Sequence, residues 1–442
     1  QYNSLGIADV KKLSGMEEAL SAILTGNAVF FMDGYDRAMK ISSKGYPAMG
    51  VSEADKEKVL RGSREGFSDS VKSNSALVRK RLRDTRLKVE EYNVGVRSHT
   101  LVQILYMEDL VHEELLEEVK ERLGEFEIDG ILDSGMLEQL TEDAWYSPFP
   151  QYQTTERPDR AVQEILNGKV VLLCDNSPEA LVLPGNFGSF MESSEDWYNR
   201  FEMASFLRIL RYVARAAAAL LPGLYLAVIR FHTQILPTNM LLSFAQAREG
   251  VPFSSIAELV LLELSFELIR EAGVRIPGAL GNAMGIVGGL IVGSAAVEAN
   301  LVSPIVVMVV AITALGSLAI PNEEFASAFR MLKYFFLFLG GYLGIFGIVV
   351  GVYLTVSHLA GLLSFGVPYL SPFIKEYPKN GTGTGILRVP FRKRWRRPVF
   401  AQAAESVRLR KVRDNSRKSP EYRTEDLEKD STITQNEGGE EG

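Results

Sequence analysis

The chain has 442 residues, a formal net charge of −7 and a 46% hydrophobic share, which at about 150 residues per domain gives two or three domains. The acidic balance argues against a nucleic-acid partner, and the lone Cys174 excludes an internal disulfide and fits a reducing compartment. Four scattered histidines (His99, His112, His232, His358) show no metal-ligand spacing.

The chain opens on Gln1 with no charged-then-apolar leader, so an upstream segment is expected. Residues 1–203 read as soluble α+β with an internal repeat: 23–33 (ILTGNAVFFMD) aligns with 165–175 (ILNGKVVLLCD). Each copy reads as a helix stopped by glycine, a buried strand and a turn at Asp, with strands at 36–41 and 179–183 closing hairpins. Two related subdomains, 1–146 and 147–203, are expected; two unrelated junctions of the same kind are the alternative. Residues 61–66 (RGSREG) read as an ordered loop or as a seat for a small anionic or zwitterionic ligand. Asp69 should cap a helix ending near Arg83, whose Arg79, Lys80, Arg81 and Arg83 suit a solvated face. Residues 87–94 and 100–107 alternate as strands, and 113–123 and 136–141 read as helices. Ser147-Pro148-Phe149-Pro150 and Arg157-Pro158 mark a linker. No phosphate loop, Cys/His pair or nucleophile elbow occurs, so no enzyme and no cofactor is expected.

Residues 204–373 read as an all-α, multi-pass transmembrane domain. Arg208, Arg211 and Arg215 precede an apolar run, snorkel, and place that side in the cytoplasm. Residues 237–250 read as an interfacial helix. Residues 254–273 carry Glu258, Glu263, Glu267 and Glu271, and form a flat interfacial helix or a re-entrant vestibule. Residues 281–297 and 299–320 form a membrane hairpin broken at Glu298. Gly285, Gly289 and Gly293 make one small-residue row, and Gly340, Gly344, Gly347 and Gly351 another on a last span at 331–358. Such rows pack helices within one chain or between copies in a ring. Four crossings result (212–230, 281–298, 302–320, 331–358), an even number that agrees with cytoplasmic ends. Residues 374–442 hold a linker at 379–385, a basic juxtamembrane cluster at 392–397 around Trp395, and a charged, disordered end from 414. Acidic groups at membrane depth face protein or water, so Glu258, Glu263, Glu267 and Glu298 are the candidate ion pathway.

Nine stretches, in order, resemble the A subunit of the GerA family of spore germinant receptors: 33–35 (DGY), 61–67 (RGSREGF), 74–81 (NSALVRKR), 128–132 (IDGIL), 147–159 around SPFP and TERPD, 248–253 (REGVPF), 270–277 (REAGVRIP), 296–299 (AVEA) and 364–370 (SFGVPYL). The resemblance implies a multi-pass protein of the spore inner membrane acting with B and C subunits and forming a ring, a pentamer, that works as a ligand-gated cation channel. SpoVAF-type accessory channels are equally similar. A membrane scaffold that conducts nothing is the alternative from another class.

Overall fold

The computed structural model describes residues 10–13, 15–24, 27–34, 37–41, 53–54, 56–274, 279–371, 373, 386–393, 396–398 and 403–408. Its first unit is β1 (Val10–Leu13), α1 (Met16–Leu24), β2 (Ala28–Phe30) and β3 (Ala38–Ile41), with sheet order β1-β3-β2. After it come α2 (Val71–Arg81), β4 (Leu87–Val94), β5 (Thr100–Met107), α3 (Glu113–Gly124) and α4 (Ser134–Thr141). Ser70, not Asp69, is the N-cap of α2.

The same unit then recurs as β6 (Gln153–Thr155), α5 (Pro158–Leu166), β7 (Val170–Cys174) and β8 (Ala180–Leu183). The hairpin pair Ala28↔Ile41 becomes Val170↔Leu183, both partners moving by 142 residues (28 to 170, 41 to 183). The bounds of α1 map onto those of α5 by the same shift (16 to 158, 24 to 166). The copies differ in what covers them. β7 pairs with β5 in a five-stranded sheet of order β4-β5-β7-β8-β6. The boundary expected at 146 therefore falls inside one sheet, because strands from both sides of it share a ladder.

Both faces of that sheet are covered, so β7 and β8 read as unbroken apolar runs. Val170, Leu172 and Cys174 point to the face packed by Leu115, Val119 and Leu137, while Val171 and Leu173 face Val78, Ala161 and Ile165. In the first copy, Leu20 and Ile23 stand where Val162 and Ile165 are buried, yet both are exposed.

After two short helices, α6 (Phe187–Phe190) and α7 (Glu195–Tyr198), the chain becomes a helical bundle. It comprises α8 (Phe201–Phe231), α9 (Thr238–Ala247), α10 (Ser255–Val274), α11 (Ala279–Glu298), α12 (Pro304–Leu318) and α13 (Glu323–Gly361). α8 leaves the α+β domain. α10 and α12 run back toward it side by side, since Glu258 meets Ser303, Glu263 meets Thr313 and Arg270 meets Ser317. α11 runs outward against α10, with Gly289 on Phe266, and its Gly293 meets Val307 of α12.

α13 is two legs. Gly344 at φ 66°, ψ −149° breaks the helix, a conformation that only glycine adopts without strain. The second leg folds back, so that Gly347 meets Leu339 and Gly351 meets Phe336. The single last span expected at 331–358 is therefore a helical hairpin, and its four glycines do not share one straight face. Gly340 lies on the first leg against the Gly223 backbone of α8, and Gly344 is the turn. The surroundings of Gly285 lie outside the described residues. The segment expected to be interfacial or re-entrant at 254–273 runs the length of the bundle as α10, antiparallel to α8.

A short hairpin, β9 (Leu363–Ser364) with β10 (Val367–Pro368), brings the chain back to the α+β domain. The basic tail returns there as well. Arg388 Nη2 donates to Trp197 O at 3.0 Å, Arg397 Nε to Leu166 O at 2.8 Å, and Ala404 N to Leu110 O at 3.0 Å. Arg397, expected at a lipid surface, is thus held by protein carbonyls. Trp395, the 379–385 linker and the end from 414 lie outside the described residues.

Candidate functional site

Two features meet on α13. The first is the joint between the α+β domain and the bundle. Asn322 caps α13, its Oδ1 accepting from Phe325 N at 2.8 Å while its Nδ2 donates to Thr154 Oγ1 at 3.2 Å. Phe325 stacks on Phe190 with centroids 5.0 Å apart, and Phe329 meets Phe149 edge-on at 5.8 Å. The 364–370 stretch closes the joint from the other leg. Ser364 Oγ donates to Gln151 O at 2.8 Å, Phe365 N to Asp143 Oδ2 at 3.0 Å, and Tyr369 O accepts from Phe187 N at 2.8 Å. Two of the stretches that carry the family resemblance, 147–159 and 364–370, therefore pack on each other here.

The second feature is a ladder of charges inside the bundle. Glu258 is wholly buried; it accepts from Arg248 Nη2 at 2.9 Å and from Ser303 N at 3.0 Å, where its charge also suits the N-terminus of α12. Glu263 is 2% exposed and accepts from Lys333 Nζ at 2.6 Å and Thr313 Oγ1 at 3.1 Å. Lys333 also reaches Glu267 at 3.3 Å, whose side chain is 31% exposed. The structure thus brings Glu263 and Glu267 together through Lys333, seats Glu258 nearer the outer end of the bundle, and leaves Glu298 exposed at the end of α11. Sequence reasoning assigned no role to Lys333 or Arg248. The signal for both was their placement: one cation in, or just beside, an otherwise apolar or acidic helix needs a carboxylate.

The arginines at the head of α8 do not snorkel. Arg208 Nε and Arg211 Nη1 each lie 2.8 Å from Asp196 Oδ2, and Arg208 Nη1 lies 3.1 Å from Glu192. The basic residues of α2 are likewise not all solvated: Lys80 Nζ pairs with Glu65 at 2.6 Å, and Arg81 pairs with the same carboxylate. That pairing gives the 61–66 loop a structural role.

Beside the joint, Glu138 on α4 is buried next to Glu142. Burial, then the nearby Glu324 and Glu142, push its pKa up; burial also raises that of Glu142. A carboxyl raised in the folded state contributes stability that is full below the ordinary carboxyl range and is lost as pH rises. Glu138→Gln should therefore leave stability at pH 5 nearly unchanged and raise it by about 1–3 kcal/mol at pH 8. Thermal unfolding of the full chain at the two pH values checks this; equal effects at both would contradict the assignment.

An α+β domain is thus joined to a helical bundle that buries paired charges, and two of its helices, Phe201–Phe231 and Glu323–Gly361, are long and apolar enough to cross a membrane. Residues 1–400 match the family described as Bacillus/Clostridium GerA spore germination protein. The uncharacterized membrane protein YfkQ of Bacillus subtilis is 40% identical over 90% of this chain and 77% of its own length. Spore germination protein KA of the same organism is 36% identical over 92% of this chain and 74% of its own. A crystal structure of the N-terminal domain of the A subunit of the Bacillus megaterium spore germinant receptor GerK3 is 27% identical, covering 41% of this chain and 65% of that one, with a TM-score of 0.32. The chain belongs to the GerA spore germination protein family, and its role lies in germination.

Proposed function

We propose that the chain is an A subunit of a spore germinant receptor: a multi-pass protein of the spore inner membrane that works with B and C subunits and, in a ring of copies, opens a cation path. One observation carries this reading. The first leg of α13 is anchored in the α+β domain at Phe325 and Phe329, and one turn beyond Phe329 its Lys333 holds Glu263 of α10. Any tilt of the domain moves Lys333 against that carboxylate. A carboxylate bound to lysine holds no K⁺, so the paired state is the closed one.

The membrane reading is supported by two helices, Phe201–Phe231 and Glu323–Gly361, long and apolar enough to cross a bilayer, the second broken at Gly344. Bundle surfaces carry exposed Leu264, Leu315, Met331, Phe338, Phe346 and Tyr353. Six traverses, α8, α10, α11, α12 and the two legs of α13, return the chain to the side it left. The contacts of Arg388 and Arg397 with the α+β domain support placing both on that one side, the cytoplasm. The uncovered Leu20 and Ile23 face of the first repeat supports assembly with further subunits.

The expected result is that Glu263→Gln, in A, B and C subunits reconstituted together in liposomes, changes germinant-triggered K⁺ flux by about tenfold, the effect of about 1.4 kcal/mol. Glu298→Gln, exposed at the bundle end, should change it less. Flux unaltered in both variants removes these residues from the path, and a strictly monomeric chain in detergent rules out the ring.

A further inference from the structure

Arg215 lies on α8 one turn beyond Arg211, at the joint. Its side chain is 2% exposed, and none of its three guanidinium nitrogens has a hydrogen-bond acceptor among the described residues. Its close company is aromatic: the guanidinium carbon sits 4.4 Å from the Phe325 ring centroid and 5.2 Å from that of Phe329. Ring faces attract a cation, yet they leave N–H groups without acceptors, which is costly in a buried place. The two arginines before it are provided for. Arg208 pairs with Asp196 and Glu192 and Arg211 with Asp196, so of these three arginines Arg215 alone has no carboxylate partner among the described residues.

Other unmet groups surround the same joint. Tyr369 is fully buried, its hydroxyl has no partner among the described residues, and it lies within electrostatic reach of Arg215. Gln151 Nε2 and Asn186 Nδ2 are also buried without acceptors there. Gln151 O is bonded to Gly185 N, and Tyr369 O to Phe187 N, so these residues flank one short stretch of chain. Arg215, Gln151 and Asn186 can only donate through these atoms, and Tyr369 can donate as well. A group that satisfies Arg215 brings acceptors and negative charge.

We propose that Arg215 and Tyr369 form a binding site for a small monocarboxylate with an apolar body, seated between the α+β domain and the bundle. The planar guanidinium fork matches a carboxylate in two parallel bonds. One guanidinium without a carboxylate partner suits a monoanion better than phosphate, and Phe325, Phe329 and Phe149 offer apolar walls. Because Phe325 and Phe329 belong to α13, such a ligand would tie the domain to the helix that carries Lys333. The site stands whether or not the bundle conducts.

The test is thermal unfolding of the full chain in lipid-free detergent with sodium propionate, against sodium chloride and sodium phosphate at equal ionic strength. Propionate should raise Tm saturably by about 2 °C or more, and the other two salts should not. Arg215→Met should unfold at a higher Tm than the parent without propionate, because it removes an unpaired buried charge, and should lose the propionate response. Tyr369→Phe, which keeps the ring packing, should need about tenfold more propionate. A lower Tm for Arg215→Met, an undiminished response in both variants, or equal shifts from all three salts would overturn the assignment.

Discussion

Replacing Lys333 with methionine should cost the fold about 3–5 kcal/mol, the penalty for stranding a buried carboxylate. Methionine preserves most of the stem of the lysine, so the packing of α13 on α10 is retained and the loss reports the charge. Glu263, 2% exposed, would be left with the Thr313 hydroxyl alone. Glu267, 31% exposed, can turn to solvent and contributes little to the cost. The paired change Lys333→Met with Glu263→Leu should recover most of the loss, since a well-packed apolar pair commonly matches a buried ion pair in stability. Unfolding of the single and double variants gives the comparison, and a Lys333→Met protein as stable as its parent would show that Glu263 is not held by this lysine. Under the function proposed above, the double variant also separates stability from gating: it should fold well and yet lose germinant-triggered K⁺ flux.

The parts of this architecture that follow a period were legible in the sequence. The helix–glycine–strand repeat was visible because its copies share both pattern and spacing, and the strand register reproduces the 142-residue shift (28 to 170, 41 to 183). The merging of the second copy with β4 and β5 was not visible, because β7 is apolar at every position and so gives no sign of which strand lies on its far edge. In the bundle, the glycine spacing at 340, 344, 347 and 351 fits both a helix seam and a helix interrupted by a turn. Periodicity carries no information on φ, and the reversal at Gly344 is a matter of φ. The acidic row on α10 was legible as well. Its partners were not, since Lys333 lies 70 residues from Glu263 and no local pattern links them. Arg208 and Arg211 of α8 were misread for a related reason: their anions, Glu192 on the loop before α7 and Asp196 on α7 itself, lie in a stretch where an amphipathic reading assigns only surface.

Gly340→Ala tests a backbone-to-backbone contact between α8 and the first leg of α13. A Cβ there would lie 2.2 Å from Gly223 O and 2.7 Å from Gly223 C, both backbone atoms that no rotamer change can move. The reciprocal approach is as tight, since a Cβ at Gly223 would meet Phe336 O at 2.3 Å. Pro222 stands just before this point inside α8, which already lacks one backbone donor there. The added methyl therefore has to push α8 and the first leg of α13 apart along their length. We expect a loss at or above the top of the about 1–3 kcal/mol range for overpacking, with Gly223→Ala close behind. Gly361→Ala is the control: it ends the second leg of α13, a methyl there would have nothing within 4 Å, and the change should be neutral or gain a few tenths of a kcal/mol from helix propensity. The consequence extends beyond stability. Gly340 lies two turns from Lys333 on one rigid leg, so parting the helices at Gly340 also draws the ammonium from Glu263. A Gly340→Ala protein that folds should then behave as though the pair were weakened, and one that keeps both its stability and its Lys333 dependence would show that α8 and α13 do not touch through their backbones.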